Sequence, residues 1–401
     1  MTASPSLAKR LEAVKPSATV AISQRAAELR AQGVDVLSFS MGEPDFDPPK
    51  VVNEAAKRAI DEGASRYTAV RGIAPLLEAI CVDSKRRRGG VEHTPADVVV
   101  SVGAKHSLFN LALALYDEGD EVIIPAPYWV SYPEQARIVG AEPVIVEPEE
   151  GFRLSPERLA AAITPRTKAL ILCSPSNPTG AAYTGEQLAA LAEVLRKHAF
   201  WIITDEIYAQ LVYGGFQQKS LLEVAPDLKD RLCVVDGVSK TYAMTGWRIG
   251  WVLAPAHVAK ACEKVQGQST TNPTAVAQHA ALAAIECPAE PIEAMRRAFE
   301  ERRGIIVEGL NAIDGIRCAM PDGAFYAFPS VAGLYGRRTP GGQTLEDDVH
   351  VAKWLLEDAR CAVVPGTAFG APGYVRISYA ASNDQIAEGV RRVREAVAKL
   401  G

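Results

Sequence analysis

The chain has 401 residues, enough for a large hydrophobic core and two unequal domains. Hydrophobic residues make up 48% and charged residues 23%, the ordinary composition of a soluble globular protein. A net charge of −5, from 43 basic and 48 acidic residues, gives no sign of a nucleic-acid-binding surface.

Targeting segments, disulfides and metal sites are not expected either. The N-terminus lacks the apolar core of a secretory signal, and no stretch reaches about 18 uncharged apolar residues, so no membrane span is expected. The seven cysteines are scattered singly without a CxxC pair, which favours the reducing cytoplasm. The six histidines show no metal-ligand spacing.

The first 48 residues carry a helical pattern at 21–32 and a short strand pattern at 36–39. We expect this segment to pack with a smaller C-terminal domain. Further along, the basic run at residues 85–88 is too short to indicate a nucleic-acid site. We interpret this run as the solvated end of a helix.

Residues 49–286 alternate short apolar runs with amphipathic helical segments, such as 105–115 and 185–197. Several runs are continuous in Val, Ile and Leu, which is typical of strands buried on both faces. This alternation predicts a large α/β domain whose mostly parallel sheet is covered by helices and binds ligands at the carboxyl ends of its strands. The predicted strands are residues 97–102, 121–125, 143–147, 169–173, 201–204 and 232–235.

The pattern changes after residue 286, where prolines interrupt the chain and a long helix is predicted at 293–310. We therefore predict a smaller domain at residues 287–401, with a mobile Gly/Pro-rich loop at 333–342. Its strand-like pieces are residues 325–328, 362–364 and 375–379.

The strongest chemical signal is Lys240, just after the strand at 232–235, with Arg248 eight positions later. A lysine amine at a strand end can join an aldehyde as an imine, and a nearby guanidinium can bind a phosphate. The pattern therefore suits a phosphorylated aldehyde cofactor. For this pair alone, an exposed loop lysine and a surface arginine remain an equal alternative.

Asp205 stands at the end of the strand at 201–204, where an unpaired buried carboxylate is costly. A cationic pyridinium nitrogen would satisfy it and would stay protonated, which makes the ring an electron sink. Tyr208, three residues later, can donate a hydrogen bond to the ring's phenolic oxygen. The alternative is that Asp205 caps a following helix.

Three weaker signals also stand at strand ends. Asn177 lies in an Asn-Pro-Thr-Gly turn, where its amide can reach a ligand. Gly103, Ala104 and Lys105 open a predicted helix, whose free backbone N–H groups can bind a phosphate. Trp129 can stack on a flat cofactor ring. A plain turn and a core aromatic residue are the alternatives for Asn177 and Trp129.

Arg376 lies inside an apolar strand pattern, between Val375 and Ile377. A buried guanidinium requires an anionic partner. The partner is either an internal Asp or Glu or the carboxylate of a substrate.

Taken together, the sequence resembles the class I aminotransferases of the pyridoxal-phosphate (PLP) fold type I. The resemblance covers nearly the whole chain and is closest to the bacterial aspartate aminotransferase branch that includes enzymes acting on prephenate. It implies a mostly parallel seven-stranded sheet with a smaller α/β domain, pyridoxal 5'-phosphate as cofactor, and a homodimer with shared active sites. The motifs that carry it are residues 15–19, 42–46, 128–132, 205–208 and 239–250.

The resemblance also implies roles for single residues. Lys240 holds the cofactor and moves the substrate proton, Asp205 pairs with the ring nitrogen, and Tyr208 and Asn177 bind the ring oxygen. Trp129 stacks on the ring. The residues implied at or near the phosphate are Gly103, Ala104, Lys105, Ser239, Arg248 and, from the neighbouring subunit, Tyr67.

For the substrate, the resemblance implies that Arg376, Asn177 and the Gly42 backbone bind the α-carboxylate. Some relatives bind a side-chain carboxylate with an arginine of the partner subunit, but residues 268–273 contain no arginine here. The side-chain carboxylate is then expected to meet Lys105, helped by the mobile N-terminal segment. The candidates in that segment are Ser17, Thr19 and, for the second carboxylate of prephenate, Lys15.

We therefore expect an enzyme of amino-acid biosynthesis that moves the amino group of L-aspartate to 2-oxoglutarate by a ping-pong mechanism. The products would be oxaloacetate and L-glutamate, and prephenate could be converted to arogenate. The alternatives are an aromatic or alanine aminotransferase, a PLP lyase on the same fold and a non-enzymatic ligand-binding protein. A nicotinamide dehydrogenase is not expected, because no Gly-x-Gly-x-x-Gly follows a first strand.

Overall fold

The structure is a computed structural model, and it describes residues 6–16, 18–147 and 151–401. The predicted substrate residue Ser17 lies outside these ranges, and the side chain of Thr19 is likewise not described. Across the described ranges, no helix has both the length and the apolar character that crossing a membrane requires.

The chain begins with α1 (Ala18–Ala31) and the short strand β1 (Leu37–Ser38). Two helices follow before the main sheet, α2 (Lys50–Asp61) and α3 (Ala74–Arg87). Because β1 pairs in parallel with a strand of the C-terminal part of the chain, at Cys361 and Ala362, the N-terminal segment packs there.

Seven strands form the main sheet, which confirms the sheet that the resemblance implies. They are β2 (Val98–Val102), β3 (Glu121–Pro125), β4 (Glu142–Val146), β5 (Thr167–Cys173), β6 (Trp201–Asp205), β7 (Leu232–Gly237) and β8 (Ile249–Leu253). Their order is β2-β8-β7-β6-β5-β3-β4. All pairs are parallel except those of β8, which runs antiparallel to β2 and β7.

The strand β8 is missing from the predicted strands, although it is a short apolar run. Its five residues directly follow the Lys240–Arg248 motif, and such a run cannot be assigned to a strand by periodicity alone. Its pairing between β2 and β7 depends on residues that are more than 100 positions away on one side.

Helices cover both faces of this sheet, and for that reason its strands are apolar on both sides. On β2, Val98 and Val100 enter one core cluster, whereas Val99 enters the other. The helices of this region are α4 (Ala104–Leu115), α5 (Ser131–Ile138), α6 (Pro156–Ala162), α7 (Gly185–Leu195), α8 (Leu221–Val224), α9 (Ala256–Gly267) and α10 (Ala275–Ile285).

Local sequence explains how such a helix starts and which face it buries. Thr184 accepts a hydrogen bond from the Gln187 N–H, and the Gln187 side chain accepts one from the Thr184 N–H, which closes a capping box on α7. Leu188, Leu191 and Leu195 follow at spacings of three and four and are buried against the sheet.

The C-terminal region has its own core around the long helix α11 (Glu290–Asn311). The other elements are β9 (Tyr326–Ala327), α12 (Asp348–Glu357), β10 (Cys361–Ala362), β11 (Val364–Pro365), β12 (Val375–Ser378) and α13 (Asn383–Val397). Within residues 333–342, Arg338 forms an antiparallel bridge with Thr344, and the mobility of this loop stays a prediction. The domain boundaries at residues 48 and 286 remain our proposal.

The prediction of a solvated helix end at residues 85–88 is wrong for half of that run. Lys85 and Arg86 are exposed, but the side chain of Arg87 is mostly buried and that of Arg88 is only 1% exposed. Both buried arginines contact Asp236, which is nearly 150 residues away. The sequence pattern of the run cannot reveal such a distant partner, so the run reads as solvated.

Candidate active site

A cavity of about 280 Å³ opens at the carboxyl ends of the parallel strands, where a sheet of this kind binds ligands. It brings together most of the residues that the sequence analysis singled out. Those that line it are Gly42, Ala104, Lys105, Trp129, Asn177, Asp205, Tyr208, Ser239, Lys240, Arg248 and Arg376.

Lys240 lies three residues beyond the end of β7 at Gly237, and its side chain lines the cavity. The amine donates a hydrogen bond to the backbone oxygen of Gly42, with Nζ and O 2.5 Å apart. Burial lowers the pKa of this amine to about 8, and the positive charges of Arg376 and Arg248 add to the effect, against the opposing charge of Glu43. At pH 7 about a tenth of the amine is therefore unprotonated, far more than in a free lysine, and this unprotonated form is the one that acts as a nucleophile or base.

Asp205 is the last residue of β6 and is only 5% exposed. Its carboxylate accepts hydrogen bonds from the Tyr132 hydroxyl, 2.7 Å away, and from the Ile207 N–H, 3.2 Å away. Burial raises the pKa of Asp205 to about 6, against the effect of these two donors. The next helix of the described chain after Asp205 begins at Leu221, so Asp205 does not cap a helix.

The charge of Asp205 has no cationic partner in the part of the chain that the structure describes, where no Lys or Arg forms a salt bridge with it. A buried carboxylate of this kind is costly unless a cation meets it. The cavity side of Asp205 is therefore suited to a positively charged group of a ligand.

Two tyrosines meet on one wall of the cavity. The hydroxyls of Tyr208 and Tyr326 are 2.8 Å apart, and Tyr326 stands so close to Gly42 that a Cβ there would lie 2.5 Å from its hydroxyl. Sequence reasoning missed Tyr326, because an aromatic residue inside a predicted strand reads as core. It also assigned no partner role to Tyr132, whose hydroxyl reaches Asp205 from α5.

Arg376 comes from β12 and is 2% exposed. Its Nη1 donates to Oδ1 of Asn177 at 3.0 Å, and its Nη2 donates to the backbone oxygen of Ser40 at 2.6 Å. Its Nε is buried without a hydrogen-bond partner. Because no Asp or Glu of the described ranges pairs with it, the internal-carboxylate alternative fails there, and the guanidinium is free to bind a carboxylate in the cavity.

Gly103 and Arg248 form a small polar cradle at the start of α4. Gly103 has a φ of +83°, and a Cβ on it would lie 2.6 Å from Nη2 of Arg248. On the neighbouring strand, a Cβ on Gly250 would lie 2.2 Å from the Ala104 nitrogen. These two glycines let the guanidinium and the first N–H groups of the helix approach each other, an arrangement suited to an anionic group of a ligand.

Lys105 and Trp129 also line the cavity. The Lys105 amine lies 4.9 Å from the centroid of the Trp129 ring, and that ring meets Tyr132 edge to face. Burial lowers the pKa of the Lys105 amine, and the charge of Arg248 lowers it further. A cation held beside an aromatic ring at the cavity wall is suited to an anionic ligand group.

Two predicted residues, Lys15 and Tyr67, lie outside the cavity. The exposed Lys15 does not line the cavity, and its backbone N–H donates to Glu134. Val20 of α1 does line it, so the start of this helix stands at the cavity mouth. Tyr67 is 90% exposed and outside the cavity of its own chain.

The segment that carries Tyr67 is held by two fully buried glutamines. The Gln266 amide donates to the Val70 backbone oxygen at 2.8 Å, and the Gln278 amide donates to the Thr68 hydroxyl at 3.0 Å. An aromatic side chain that projects from a segment fixed in this way is suited to contact another molecule.

Comparison with known proteins agrees with this geometry. The family model described as aminotransferase class I and II matches residues 34–393. The aspartate aminotransferase of Geobacillus stearothermophilus is 48% identical over 96% of this chain and 98% of its own length. The aspartate/prephenate aminotransferase of Cereibacter sphaeroides is 47% identical over 98% of this chain and 99% of its own.

Solved structures give the same result. The crystal structure of the aspartate aminotransferase from Rhizobium meliloti superimposes with a TM-score of 0.96, at 42% identity over 99% of this chain and 100% of that one. The aspartate aminotransferase from Thermus thermophilus with maleate superimposes with a TM-score of 0.91, at 44% identity over 98% of this chain and 100% of that one. The chain therefore belongs to the class I and II aminotransferase family and is an aminotransferase.

Proposed function

We propose that the protein is a PLP-dependent aspartate aminotransferase that exchanges amino groups between L-aspartate and 2-oxoglutarate. The observation that carries the proposal is the convergence of three groups on one cavity: the Lys240 amine, the Asp205 carboxylate without a cation, and the Arg376 guanidinium with an unpartnered Nε. An amino acid bound between them would have its α-carboxylate and α-carbon close to a base.

The residues of the cavity fit pyridoxal 5'-phosphate. Its aldehyde matches the Lys240 amine, whose pKa of about 8 favours reaction near neutral pH. Its phosphate matches the cradle of Gly103 and Arg248, and its ring nitrogen matches Asp205. Tyr208 lies on the same cavity wall and would donate to the phenolic oxygen, and Trp129 would stack on the ring.

When bound, this cofactor supplies an electron sink for the pair left by a broken Cα–H bond. The protein's own residues then have separate tasks. The guanidinium of Arg376 and the side-chain amide of Asn177 would bind the substrate α-carboxylate. This contact would orient the α-hydrogen toward the Lys240 amine. The Lys240 amine would take the proton from the substrate α-carbon as a general base and deliver it, as a general acid, to the carbon of the cofactor's aldehyde group.

The preference for an acidic substrate rests on Lys105. Its amine lies beside Trp129, and among the residues that the structure describes Lys105 and Lys240 are the lysines that line the cavity. The names of the two relatives, aspartate aminotransferase and aspartate/prephenate aminotransferase, support aspartate and leave prephenate as a further amino acceptor, which would give arogenate. Thr19, Ser17 and Lys15 of the N-terminal segment stay candidates for the distal carboxylates.

We further propose a homodimer in which Tyr67 reaches the phosphate site of the partner subunit. The exposed position of this ring on a fixed segment supports the arrangement. All seven cysteines are free thiols, which is consistent with the reducing cytoplasm.

Two measurements test the cofactor assignment. Reduction of the PLP-loaded protein with borohydride should place the cofactor's mass on the peptide that contains Lys240, as found by mass spectrometry. Lys240→Ala should lose this label and at least about 100-fold in turnover, because the general base is gone. Near-normal turnover of Lys240→Ala without added amines would refute the role.

The substrate assignment needs a separate panel. Aspartate, glutamate, tyrosine, alanine and prephenate are each offered with a matched partner, and both products are quantified. We expect aspartate with 2-oxoglutarate to have the highest kcat/KM. Release of ammonia or of a cleaved fragment in place of a paired amino acid would indicate a lyase.

A further inference from the structure

A buried ionic cluster lies beside the ends of β6 and β7, from which Asp205 and Lys240 reach the cavity, and the function proposed above leaves it unused. We call it the arginine–carboxylate cluster, and it consists of Arg87, Arg88, Asp83, Glu206 and Asp236. Arginines and carboxylates removed from water together are costly, because the desolvation penalty can exceed their attraction. Such a cluster next to an active site therefore calls for an explanation beyond stability.

Arg88 is the centre of this cluster. Its Nε donates to Oε2 of Glu206 at 2.8 Å, and its Nη2 donates to Oδ2 of Asp236 at 2.8 Å. The guanidinium therefore bridges two neighbouring strands, because Glu206 directly follows β6 and Asp236 lies in β7.

The two carboxylates lie close in sequence to the proposed catalytic groups. Glu206 follows Asp205, and Asp236 precedes Lys240 by four residues. A contact that fixes Glu206 against Asp236 also fixes the separation of the strand ends from which Asp205 and Lys240 enter the cavity. A shift of about 1 Å in such a geometry can cost about 100-fold in rate.

Asp236 and Glu206 have different partners besides Arg88, so the effect of removing Arg88 should be larger at Glu206. Asp236 is also bound by Arg87 Nη2, 2.6 Å away, and by the Gly237 N–H. Glu206 accepts hydrogen bonds from the hydroxyls of Ser220 and Thr204, which carry no charge. In the described portion of the chain, Arg88 is the one basic side chain that pairs with Glu206.

The electrostatics favour the same conclusion. Burial raises the pKa of Asp205, and the negative charges of Asp236 and Glu206 raise it further. The charges of Arg87 and Arg88 lower the pKa of Asp236 against its burial. The titratable or charged groups near Asp205 are Tyr132, Cys173, Lys240, Glu206 and Asp236. Those near Arg88 are His93, Arg87, Glu206 and Asp236.

We propose that Arg88 is a positioning residue for the aminotransferase reaction: it holds the ends of β6 and β7 together and neutralises the carboxylates beside Asp205. Asp205 then stays ionised and aimed into the cavity. This inference rests on the function proposed above, since it assumes that Asp205 meets a cationic ring nitrogen.

The test is the pH dependence of the PLP dissociation constant of the full chain between pH 5 and 9. Equilibrium dialysis and visible absorbance measure this constant. Binding should weaken below the pH at which Asp205 takes up a proton. Arg88→Met should move this midpoint upward by about one pH unit, because Glu206 loses its counter-charge while Asp236 keeps that of Arg87. Arg88→Lys keeps a positive charge but cannot donate to both carboxylates as a fork. Its midpoint should lie between those of the unmodified protein and Arg88→Met.

Two further variants separate this role from a merely structural one. The double variant Arg88→Met with Glu206→Gln removes one charge of each sign, and should return the midpoint toward that of the unmodified protein. Glu121→Gln removes a similarly buried carboxylate at the opposite end of the sheet, where it pairs with Arg166. This control should lower the melting temperature without moving the midpoint.

An unshifted midpoint in both Arg88→Met and Arg88→Lys would overturn the inference, as would an equal shift in Glu121→Gln. If Arg88→Met does not fold, Arg88→Lys and the double variant decide the question by the same criterion. The unmodified protein serves as the check on the underlying function: if it takes up no PLP, the proposed function fails first, independently of Arg88.

Discussion

The Lys240 amine donates a hydrogen bond to the backbone oxygen of Gly42, a residue 198 positions earlier in the chain, at 2.5 Å. The contact ties the N-terminal segment, which pairs with the C-terminal region through β1 and β10, to the loop after β7. Gly42 is also the residue on which a Cβ would strike the Tyr326 hydroxyl. The amine therefore stands where three separate stretches of the chain meet.

The depressed pKa of Lys240 predicts how the cofactor-free protein takes up PLP. Only the unprotonated amine attacks an aldehyde, and this amine has a pKa of about 8. Below pH 8 the uptake rate should rise about tenfold per pH unit and then level off. Stopped-flow absorbance measures the rate, and a midpoint near that of a free lysine would contradict the assigned environment.

Asp205 should lower the stability of the cofactor-free protein at neutral pH. Its pKa in the folded state is about 6, above its usual value of 3.8, so the folded state holds this proton more tightly than the unfolded state. The stabilisation from the bound proton is complete below pH 3.8 and is lost as pH rises through 6.

Asp205→Asn should remove this pH dependence, and at pH 7 the cofactor-free variant should be more stable than the unmodified protein by up to about 3 kcal/mol. Urea unfolding at pH 4, 5, 6 and 7 measures the difference. The same variant should bind PLP poorly. Equal stability curves across this pH range would show that the carboxylate is not buried as described.

Arg376→Lys should impair substrate binding more than cofactor binding. A lysine cannot donate to Asn177 and Ser40 and still present two parallel N–H groups to a carboxylate. We expect kcat/KM to fall about 10- to 100-fold for both amino and oxo acids, from the loss of a charged hydrogen bond.

The control for this substitution is Arg196→Lys. Arg196 makes a fork of the same kind to Asp227, at 2.8 and 2.9 Å, but on the exposed surface. Its kinetics should be unchanged. A normal KM in Arg376→Lys would refute the assignment of Arg376 as the residue that binds the substrate carboxylate.

Subunit mixing tests the shared active site. Lys240→Ala and Tyr67→Ala should each be impaired alone, yet a co-expressed mixture should regain activity. In a mixed dimer, one cavity receives both substitutions and the other receives neither, provided that Tyr67 acts in the partner subunit. If Tyr67 acts in its own chain, every cavity carries one substitution and no activity returns.

Local sequence was sufficient for much of the fold and for the core of the candidate site. Runs of Val, Ile and Leu predicted strands because a sheet covered on both faces needs apolar residues on both. Lys240, Asp205 and Asn177 were predictable because each follows such a run, and parallel strands end at the same edge of the sheet. The resemblance to a family added Tyr67 and Lys15, which no local pattern singles out.

Other features depend on partners that are distant in the sequence. Arg88 reads as solvated until Glu206 and Asp236, 118 and 148 residues away, are brought beside it. Tyr326 reads as core until its hydroxyl meets Tyr208. Strand β8 was missed because a five-residue apolar run can be assigned to a strand only once its pairing with β2 and β7 is known.

The amino-acid sequence by itself determined which elements form and which side chains stand at the strand ends, because backbone periodicity and burial are local properties. The tertiary structure alone decided which charges are paired. Within residues 6–16, 18–147 and 151–401, it left Asp205 without a salt-bridge partner, gave Arg88 two carboxylates and left Nε of Arg376 without a hydrogen bond. These outcomes depend on distances between chain segments that no local pattern encodes.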